Sequence, residues 1–399
     1  MPKSTMLVLL PSPPSDITQN RITAAYRPSL TKIISDLKKA SAGTRLLLAV
    51  DWPELYGRLQ VPRAELYDDA QKVLGHLYVL VYMICGTLDL EVDSDIPESI
   101  DPCIIMLDCS GPNFIIPQGK TESIFGPFLH LNSLVNASDK FQSILSTNDD
   151  EGKKLLAKYH HLKQHEVFSR NFNAPEISSA SDGYESPSFR ISSATTHSVV
   201  AVGGTFDHLH AGHKLLLTAT ALLLQSSTWA PTNLRLIVGI TGDELLKNKS
   251  YAEYIKSWKQ RKTDVVDFLL SILLFTSKIQ KDELSISSLD KYDSGSCTVH
   301  VKVQTHSVTI ECIELKDPFG PAVTDDSITA LVVSHETSLG GKAINQKRIE
   351  RGVRPLMVYE IGVLSADESQ GDLVNDFISK ISSSQIRKRK AEIGYPKTT

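Results

Sequence analysis

The segment from Val199 to Leu217 carries the residue types in this sequence that are best suited to phosphate chemistry. A run of small and β-branched residues is followed by glycines, a hydroxyl and two imidazoles, in the order Gly203, Gly204, Thr205, His210, Gly212 and His213. A strand that stops at glycines and continues as a helix leaves unpaired backbone N–H groups, which bind phosphate-sized anions. His210 and His213 are three residues apart and would share one helix face. The segment therefore predicts a site where imidazoles stabilise charge on a phosphate.

Two other interpretations of this segment are weaker. A His-x-x-His spacing can ligate a metal ion, but Asp207 is the one nearby carboxylate and no cysteine lies close. We therefore expect no protein-held metal. Asp207 is interpreted as a turn residue that bonds its own backbone, rather than as a catalytic base.

The elements that must position these residues follow a strand-then-helix order. After the motif, strands are predicted at Ser198–Val202, Leu234–Ile240, Thr298–Val303, Thr309–Leu315, Ala330–Ser334 and Pro355–Ile361. Helices are predicted at His213–Leu224, Gln260–Phe275, Lys342–Gly352 and Ser383–Glu392. This alternation indicates an α/β fold with a Rossmann-like, doubly wound, mostly parallel sheet.

Length and composition indicate more than one domain. A chain of 399 residues exceeds one ordinary core. We expect an N-terminal α/β extension over 1–172, a serine-rich flexible linker over 173–197 and a catalytic domain over 198–399. Such a linker predicts that residues 190–399 keep their activity when isolated.

Charge and cysteine content restrict the partners and the compartment. A net charge of −4 provides no general attraction to nucleic acid or to acidic membranes, so we expect neither as a partner. The five cysteines form no C-x-x-C pair, which favours reduced thiols in the cytoplasm or nucleus. No P-loop pattern is present.

Several motifs together resemble a known enzyme superfamily. Gly204-Thr-Phe-Asp207 followed by His210-Ala-Gly-His213 resembles the signature of the HxGH nucleotidyltransferases. Near the other end of the sequence, Lys380–Arg387 resembles the family's serine-rich turn before a helix. Hydroxyls at a helix N-terminus, with a forked cation from Arg387, suit a polyphosphate.

Other segments narrow the resemblance to phosphopantetheine adenylyltransferases of the eukaryotic and archaeal type. They are Gly239–Lys249, Asp317–Ala322, Leu331–Thr337 and Gly341–Arg348. The resemblance covers about residues 198–394, and it is similar to fungal forms with a long N-terminal extension and one activity.

The resemblance implies transfer of the adenylyl group of ATP to 4′-phosphopantetheine, which yields dephospho-coenzyme A and pyrophosphate. His210 and His213 would face the ATP phosphates, and the acceptor would lie against Gly204, Thr205 and Phe206. Lys247 or Lys249 would bind charge at the reacting centre, and the sequence does not choose between them. The implied ATP contacts are Gly203, Gly212, Ser334, Glu336, Ser382, Ser383, Ser384 and Arg387.

Some implied roles have plain structural alternatives. Arg261 would reach a phosphate or only begin a charged helix, and the Ser334 segment would contact the nucleotide or only cap a helix at Thr337. Mg²⁺ is expected with the triphosphate, held mostly by the nucleotide. Other coenzyme A pathway enzymes are expected as partners of the N-terminal extension.

Two other functions stay open at this point. One is a different HxGH reaction, cytidylyl transfer or adenylyl transfer to nicotinamide mononucleotide. The other is a non-catalytic scaffold on the same fold, with residues 1–172 as a docking module. The intact histidines and the Ser382–Arg387 segment weigh against the scaffold.

Overall fold

The described residues form two α/β units, each built on one β-sheet. A computed structural model describes residues 4–40, 43–59, 61–92, 96, 98–110, 125–171, 195–225, 233–275, 284–291, 295–303, 306–362 and 382–397. We refer to the described residues up to 171 as the N-terminal half and to those from 195 as the C-terminal half. The predicted α/β class is confirmed. Most of the predicted linker, residues 173–194, lies outside the described residues.

The N-terminal half forms a five-stranded parallel sheet in the order β4-β3-β2-β1-β5. Its strands are β1 (Ser4–Leu10), β2 (Thr44–Asp51), β3 (Ile100–Asp108), β4 (Phe128–His130) and β5 (Phe141–Ser146). Its helices are α1 (Gln19–Ala40), α2 (Tyr67–Thr87), α3 (Leu131–Asn136) and α4 (Asp150–Asn171). Every residue of β3 is buried, as expected for a parallel strand covered on both faces.

The C-terminal half forms a seven-stranded sheet in the order β12-β11-β6-β7-β10-β9-β8. Its strands are β6 (Val199–Gly204), β7 (Asn233–Thr241), β8 (Leu284–Lys291), β9 (Ser296–Val303), β10 (His306–Leu315), β11 (Ala330–Ser334) and β12 (Met357–Ile361). Its helices are α5 (Ala211–Leu223), α6 (Trp258–Leu273), α7 (Ser338–Glu350) and α8 (Ser383–Glu392).

The predicted elements of this half are present, and their ends shift for local reasons. Helix α6 begins at Trp258, two residues before the predicted start, because Ser257 and Gln260 form a capping box there. Strand β8 was not predicted, and it pairs antiparallel with β9 at one edge of the sheet. Five of the seven strands run parallel to one another, namely β12, β11, β6, β7 and β10, and β9 runs antiparallel to β10.

The strand order reverses beside β6. From β6 the chain adds β7 on one side, and it later adds β11 on the other. In doubly wound sheets, ligands bind at the carboxyl ends of the strands at such a switch point. The end of β6 at Gly203-Gly204 is therefore where the fold offers a site.

The two halves share one hydrophobic core. A single cluster of buried residues includes strand residues of both sheets, and α2 packs against α5. Polar contacts cross the same boundary: Arg63 donates to the Leu224 carbonyl at 2.9 Å, and Tyr67 packs edge-on against Tyr359. None of the described helices is long and apolar enough to cross a bilayer.

Candidate functional site

The turn from β6 to α5 has a strained backbone on a packed base. Phe206 and His208 adopt left-handed backbone conformations, with φ of 51° and 47°, which residues other than glycine rarely adopt. The Phe206 ring is fully buried, and a Cβ at Gly204 would lie 3.1 Å from it. Gly204 is therefore needed for close approach of the ring, and the surrounding packing maintains the strain.

His210 caps the helix that carries His213. The Gly212 N–H donates to Nδ1 of His210 at 3.1 Å, so the proton of the neutral ring lies on Nε2. The two rings stack with their centroids 4.0 Å apart, and His213 also contacts the Phe206 ring. This cap orients one imidazole N–H and occupies one of the backbone donors at the helix start.

Both imidazoles are neutral at pH 7. Burial lowers the pKa of His213 to about 4, although the charge of Asp207 opposes this shift. Burial and the neighbouring His213 place the pKa of His210 well below its usual value. A neutral imidazole keeps one N–H, so each ring can donate one hydrogen bond to a phosphate oxygen.

Of the two candidate lysines, Lys249 lies beside the motif. Its Nζ donates to the Thr205 hydroxyl at 3.1 Å, and burial lowers its pKa from the usual value. Lys247 is exposed and pairs with Glu244 three residues away. The lysine-rich segment follows β7 as a 3₁₀ turn rather than as a strand, so alternation could not assign the two side chains.

Helix α8 is fastened to the motif through Asp207. The Arg387 guanidinium donates to the buried Asp207 carboxylate at 2.8 Å, and the Ser383 hydroxyl donates to the Asp207 carbonyl at 2.9 Å. Lys390 lies 3.3 Å from Nδ1 of His208, whose Nε2 donates to the Tyr254 carbonyl.

This arrangement corrects two expectations. Asp207 does not bond its own turn, since its carboxylate accepts from Arg387 and from the Lys256 backbone N–H at 3.1 Å. Arg387 does not present a free fork to a polyphosphate, because its three nitrogens donate to Ser250, Asp207 and Ser384. Because these partners are far apart in the sequence, no local residue spacing could have predicted the contacts.

Ser382, Ser383 and Ser384 lie where α8 begins. Ser382 caps the helix by accepting from the Gln385 N–H, and Ser384 accepts from Arg387. Ser382 and Ser383 are partly exposed and Ser384 is exposed. The turn therefore stands beside the β6–α5 motif with its helix N-terminus available.

Arg261 lies beneath the surface of the site and holds its backbone in place. Its side chain is fully buried, and it donates to the carbonyls of Thr205 and Thr241 and to the Asp243 carboxylate at 2.6–2.8 Å. The sequence suggested that Arg261 either contacts a phosphate or begins a charged, exposed helix, and the buried side chain does neither. It ties the motif turn to the end of β7.

Strand β11 ends next to β6 with Ser334. Ser334 caps the 3₁₀ turn before α7, and its hydroxyl lies 3.1 Å from that of Thr337. The cap expected at Thr337 is not formed by its side chain, and Glu336 is exposed. The Asp317 carboxylate accepts from the Phe319 and Gly320 backbone N–H groups and so forms a turn.

Gly203 and Gly212 complete the predicted set. Both are partly exposed, and a Cβ at Gly203 would meet only the Leu315 side chain at 4.0 Å. Within the described part of the chain, no group of three or more His, Cys, Asp or Glu residues could hold a metal ion. The residues that sequence reasoning did not assign to the site are His208, Lys256 and Lys390.

Comparison with known proteins finds matches to about half of the chain. A family described as "Domain of unknown function (DUF8446)" matches residues 1–185. An uncharacterized protein of Schizosaccharomyces pombe is 36% identical over 197 residues, 49% of each chain. The phosphopantetheine adenylyltransferase of Saccharomyces cerevisiae is 34% identical over 201 residues, 50% of this chain and 51% of that protein.

An archaeal relative is matched over most of its own length. The phosphopantetheine adenylyltransferase of Pyrococcus abyssi is 30% identical over 188 residues, 47% of this chain and 87% of that protein. The chain thus spans about half the length of the two yeast relatives that it matches.

Proposed function

Since the chain belongs to the phosphopantetheine adenylyltransferase family, we propose that it transfers the adenylyl group of ATP to 4′-phosphopantetheine. The observation that carries this proposal is the β6–α5 turn at the switch point, where Lys249, Thr205 and two neutral imidazoles converge. The products are dephospho-coenzyme A and pyrophosphate.

The reaction needs no base in this proposal. An oxygen of the acceptor phosphate is already ionised and attacks the α-phosphorus, while the bond to the bridging oxygen breaks and pyrophosphate leaves. Catalysis then consists of positioning and of stabilising the charge that develops on the phosphoryl oxygens. Thr205 and Lys249 orient the acceptor phosphate, and the N–H groups of His210 and His213 donate to ATP.

The triphosphate lies between the motif and α8 in this proposal. The N-terminus of α8 supplies the Ser382 hydroxyl and a positive helix end, while the Ser383 hydroxyl already donates to the Asp207 carbonyl. Gly203, Gly212, Ser334 and Glu336 line the same edge of the sheet. Arg387 and Arg261 hold α8 and the end of β7 against the β6–α5 turn and do not touch the substrate.

Mg²⁺ enters as part of the nucleotide substrate. The Asp207 carboxylate is buried and already accepts from Arg387 and Lys256, so it offers no free oxygen to a metal ion. The triphosphate itself would carry the ion. A cytoplasmic location and contacts between the N-terminal half and other coenzyme A pathway enzymes stay predictions.

The test is a pyrophosphate-release assay on the full chain with ATP or CTP. The acceptors are 4′-phosphopantetheine, nicotinamide mononucleotide and phosphocholine, and products are identified by mass. We expect turnover only with ATP and 4′-phosphopantetheine. His213→Ala should lower kcat by about 10²–10³-fold, the scale for one transition-state donor. His300→Ala, at an exposed position of β9, is the control.

Other outcomes would contradict the proposal. Turnover with a different acceptor or with CTP would assign another nucleotidyl transfer. No turnover with any pair, in a folded protein, would favour the non-catalytic scaffold.

A further inference from the structure

We propose that Asp101, in the N-terminal sheet, is a positioning residue for His210 and His213 and acts on them through Lys214. The inference rests on the proposed function, because it concerns the same motif. It assigns a physical task to the N-terminal half, whose family description names none. The argument depends on a buried ion pair that joins the two halves next to the histidines.

The ion pair lies in the interior of the molecule. Nζ of Lys214 lies 2.5 Å from Oδ1 of Asp101, and it also donates to the Pro102 carbonyl at 3.2 Å. The Lys214 side chain is 2% exposed and the Asp101 side chain 6% exposed. The second oxygen of Asp101 accepts from Nε of Arg45 at 2.9 Å, so the carboxylate is fully used.

The charges in this cluster depend on one another. Burial alone would raise the pKa of Asp101, but Lys214 and Arg45 outweigh it and hold that pKa below its usual range. Burial alone would lower the pKa of Lys214, but the Asp101 charge outweighs it and the pKa is raised. Without Asp101, the Lys214 ammonium would be buried beside the Phe268 ring without the carboxylate that Nζ contacts. Asp267 lines the same cavity and interacts with Arg45.

Lys214 is placed to transmit this constraint. It directly follows His213, and its backbone N–H donates to the His210 carbonyl at 3.0 Å, in the first turn of α5. A lysine that left its site to reach water would carry this turn with it. Both imidazoles would then shift relative to the phosphates, and a displacement of about 1 Å can cost about 10²-fold in rate.

Asp108 provides a matched control in the same strand. It is a buried aspartate of β3, 1% exposed, and it too accepts several hydrogen bonds. Its carboxylate contacts Gly57, Ser110 and His130, all within the N-terminal half. Asp108→Asn therefore removes a comparable buried charge without touching α5.

The first experiment compares Asp101→Asn with Asp108→Asn in the full chain. For Asp101→Asn we expect kcat to fall about 10–100-fold while KM for ATP and the acceptor changes less than about threefold. Deuterium uptake at residues 205–216, followed by mass spectrometry, should rise. Asp108→Asn should leave kcat and this uptake near wild-type values, even where both variants lose similar thermal stability.

A double-mutant cycle tests the route through Lys214. Lys214→Met removes the buried cation that requires a partner, so Asp101→Asn with Lys214→Met should regain kcat to within about threefold of Lys214→Met alone. Additive losses in the double variant, or equal losses in Asp101→Asn and Asp108→Asn, would overturn the proposal.

The exchange measurement separates this inference from the proposed function. If the wild-type chain transfers no adenylyl group, the proposed function fails. Increased uptake at residues 205–216 in Asp101→Asn alone would still support the positioning role, and unchanged uptake would overturn it.

Discussion

His210 and His213 are held neutral by their surroundings, and this limits the chemistry open to them. Burial lowers the pKa of both rings, and the cap bond from Gly212 puts the proton of His210 on Nε2. Such rings donate hydrogen bonds to phosphate oxygens but bring no positive charge of their own at pH 7. Lys249 places a cation at the Thr205 hydroxyl of the motif.

The lysine pair gives the sharpest prediction at the residue scale. Lys249→Met should lower kcat for the proposed transfer by about 10²-fold or more, because it removes a cation from the reacting centre. Lys247→Met, the matched control, breaks only an exposed pair with Glu244 and should change kcat less than about twofold. Steady-state kinetics of both variants provide the test. Equal losses would mean that the Thr205 contact does not mark the functional lysine.

The buried state of His213 predicts a pH dependence of stability. Its pKa is about 4 in the folded chain, below the usual value of about 6.5. Between these values the unfolded chain binds more protons, so the contribution to stability is present above about pH 6.5 and is lost as pH falls toward 4. Urea unfolding at a series of pH values should show this loss in the wild type and a shallower slope in His213→Gln. His300→Gln should keep the wild-type slope, and identical slopes in all three proteins would contradict the assignment.

At the scale of elements, α8 is joined to the β6–α5 turn by hydrogen bonds and an ion pair. The Asp207 carboxylate accepts hydrogen bonds from Arg387 of α8 and from the Lys256 N–H in the segment before α6. The Asp207 carbonyl accepts from the Ser383 hydroxyl of α8. Arg261 then joins the same turn to β7. The two arginines thus fix the separation between the motif and the helix N-terminus that would face a triphosphate.

The Arg387–Asp207 pair predicts a large effect of one substitution in α8. Arg387→Met leaves a buried carboxylate without its cation, so the free energy of unfolding should fall by about 3–5 kcal/mol. KM for ATP should rise because α8 is no longer fastened. Lys388→Met, one residue later with a loose exposed pair to Glu392, is the control for urea unfolding and kinetics. A variant as stable as the wild type would show that the pair does not hold α8 in place.

At the scale of the whole molecule, the halves are not independent units joined by a tether. One core cluster spans both sheets, and α5, the helix that carries His213, packs on α2 of the other half. The serine-rich composition of residues 173–197 predicted a separable catalytic domain, because composition reports only on the segment between the halves. The buried contacts across the boundary argue against that separation.

The shared core predicts the behaviour of a fragment. Residues 195–399 expressed alone should aggregate or bind a hydrophobic dye, since the face of α5 that α2 covers would be exposed. Co-expression with residues 1–171 should restore a soluble complex. Size-exclusion chromatography with light scattering, beside the full chain as control, measures both. A monomeric, active fragment would restore the interpretation from composition.

Local spacing in the sequence determined the order of strands and helices in the C-terminal half, except for β8, and the motif that carries the histidines. It also located the serine-rich start of α8, because caps, glycine turns and alternating elements leave signals within a few residues. The same spacing could not reveal that Arg261 and Arg387 are buried supports, or which lysine lies at Thr205.

Only the tertiary structure decided those points, and the reason is distance along the chain. The partners of Asp207, Arg261 and Lys214 come from segments far away in sequence, brought together by sheet order and by the packing of two halves. Desolvation then sets the charge of each group, and burial is a property of the assembled core. The sequence by itself determined the position of the motif that we propose binds phosphate, and the fold determined which of its candidate side chains are held in other contacts.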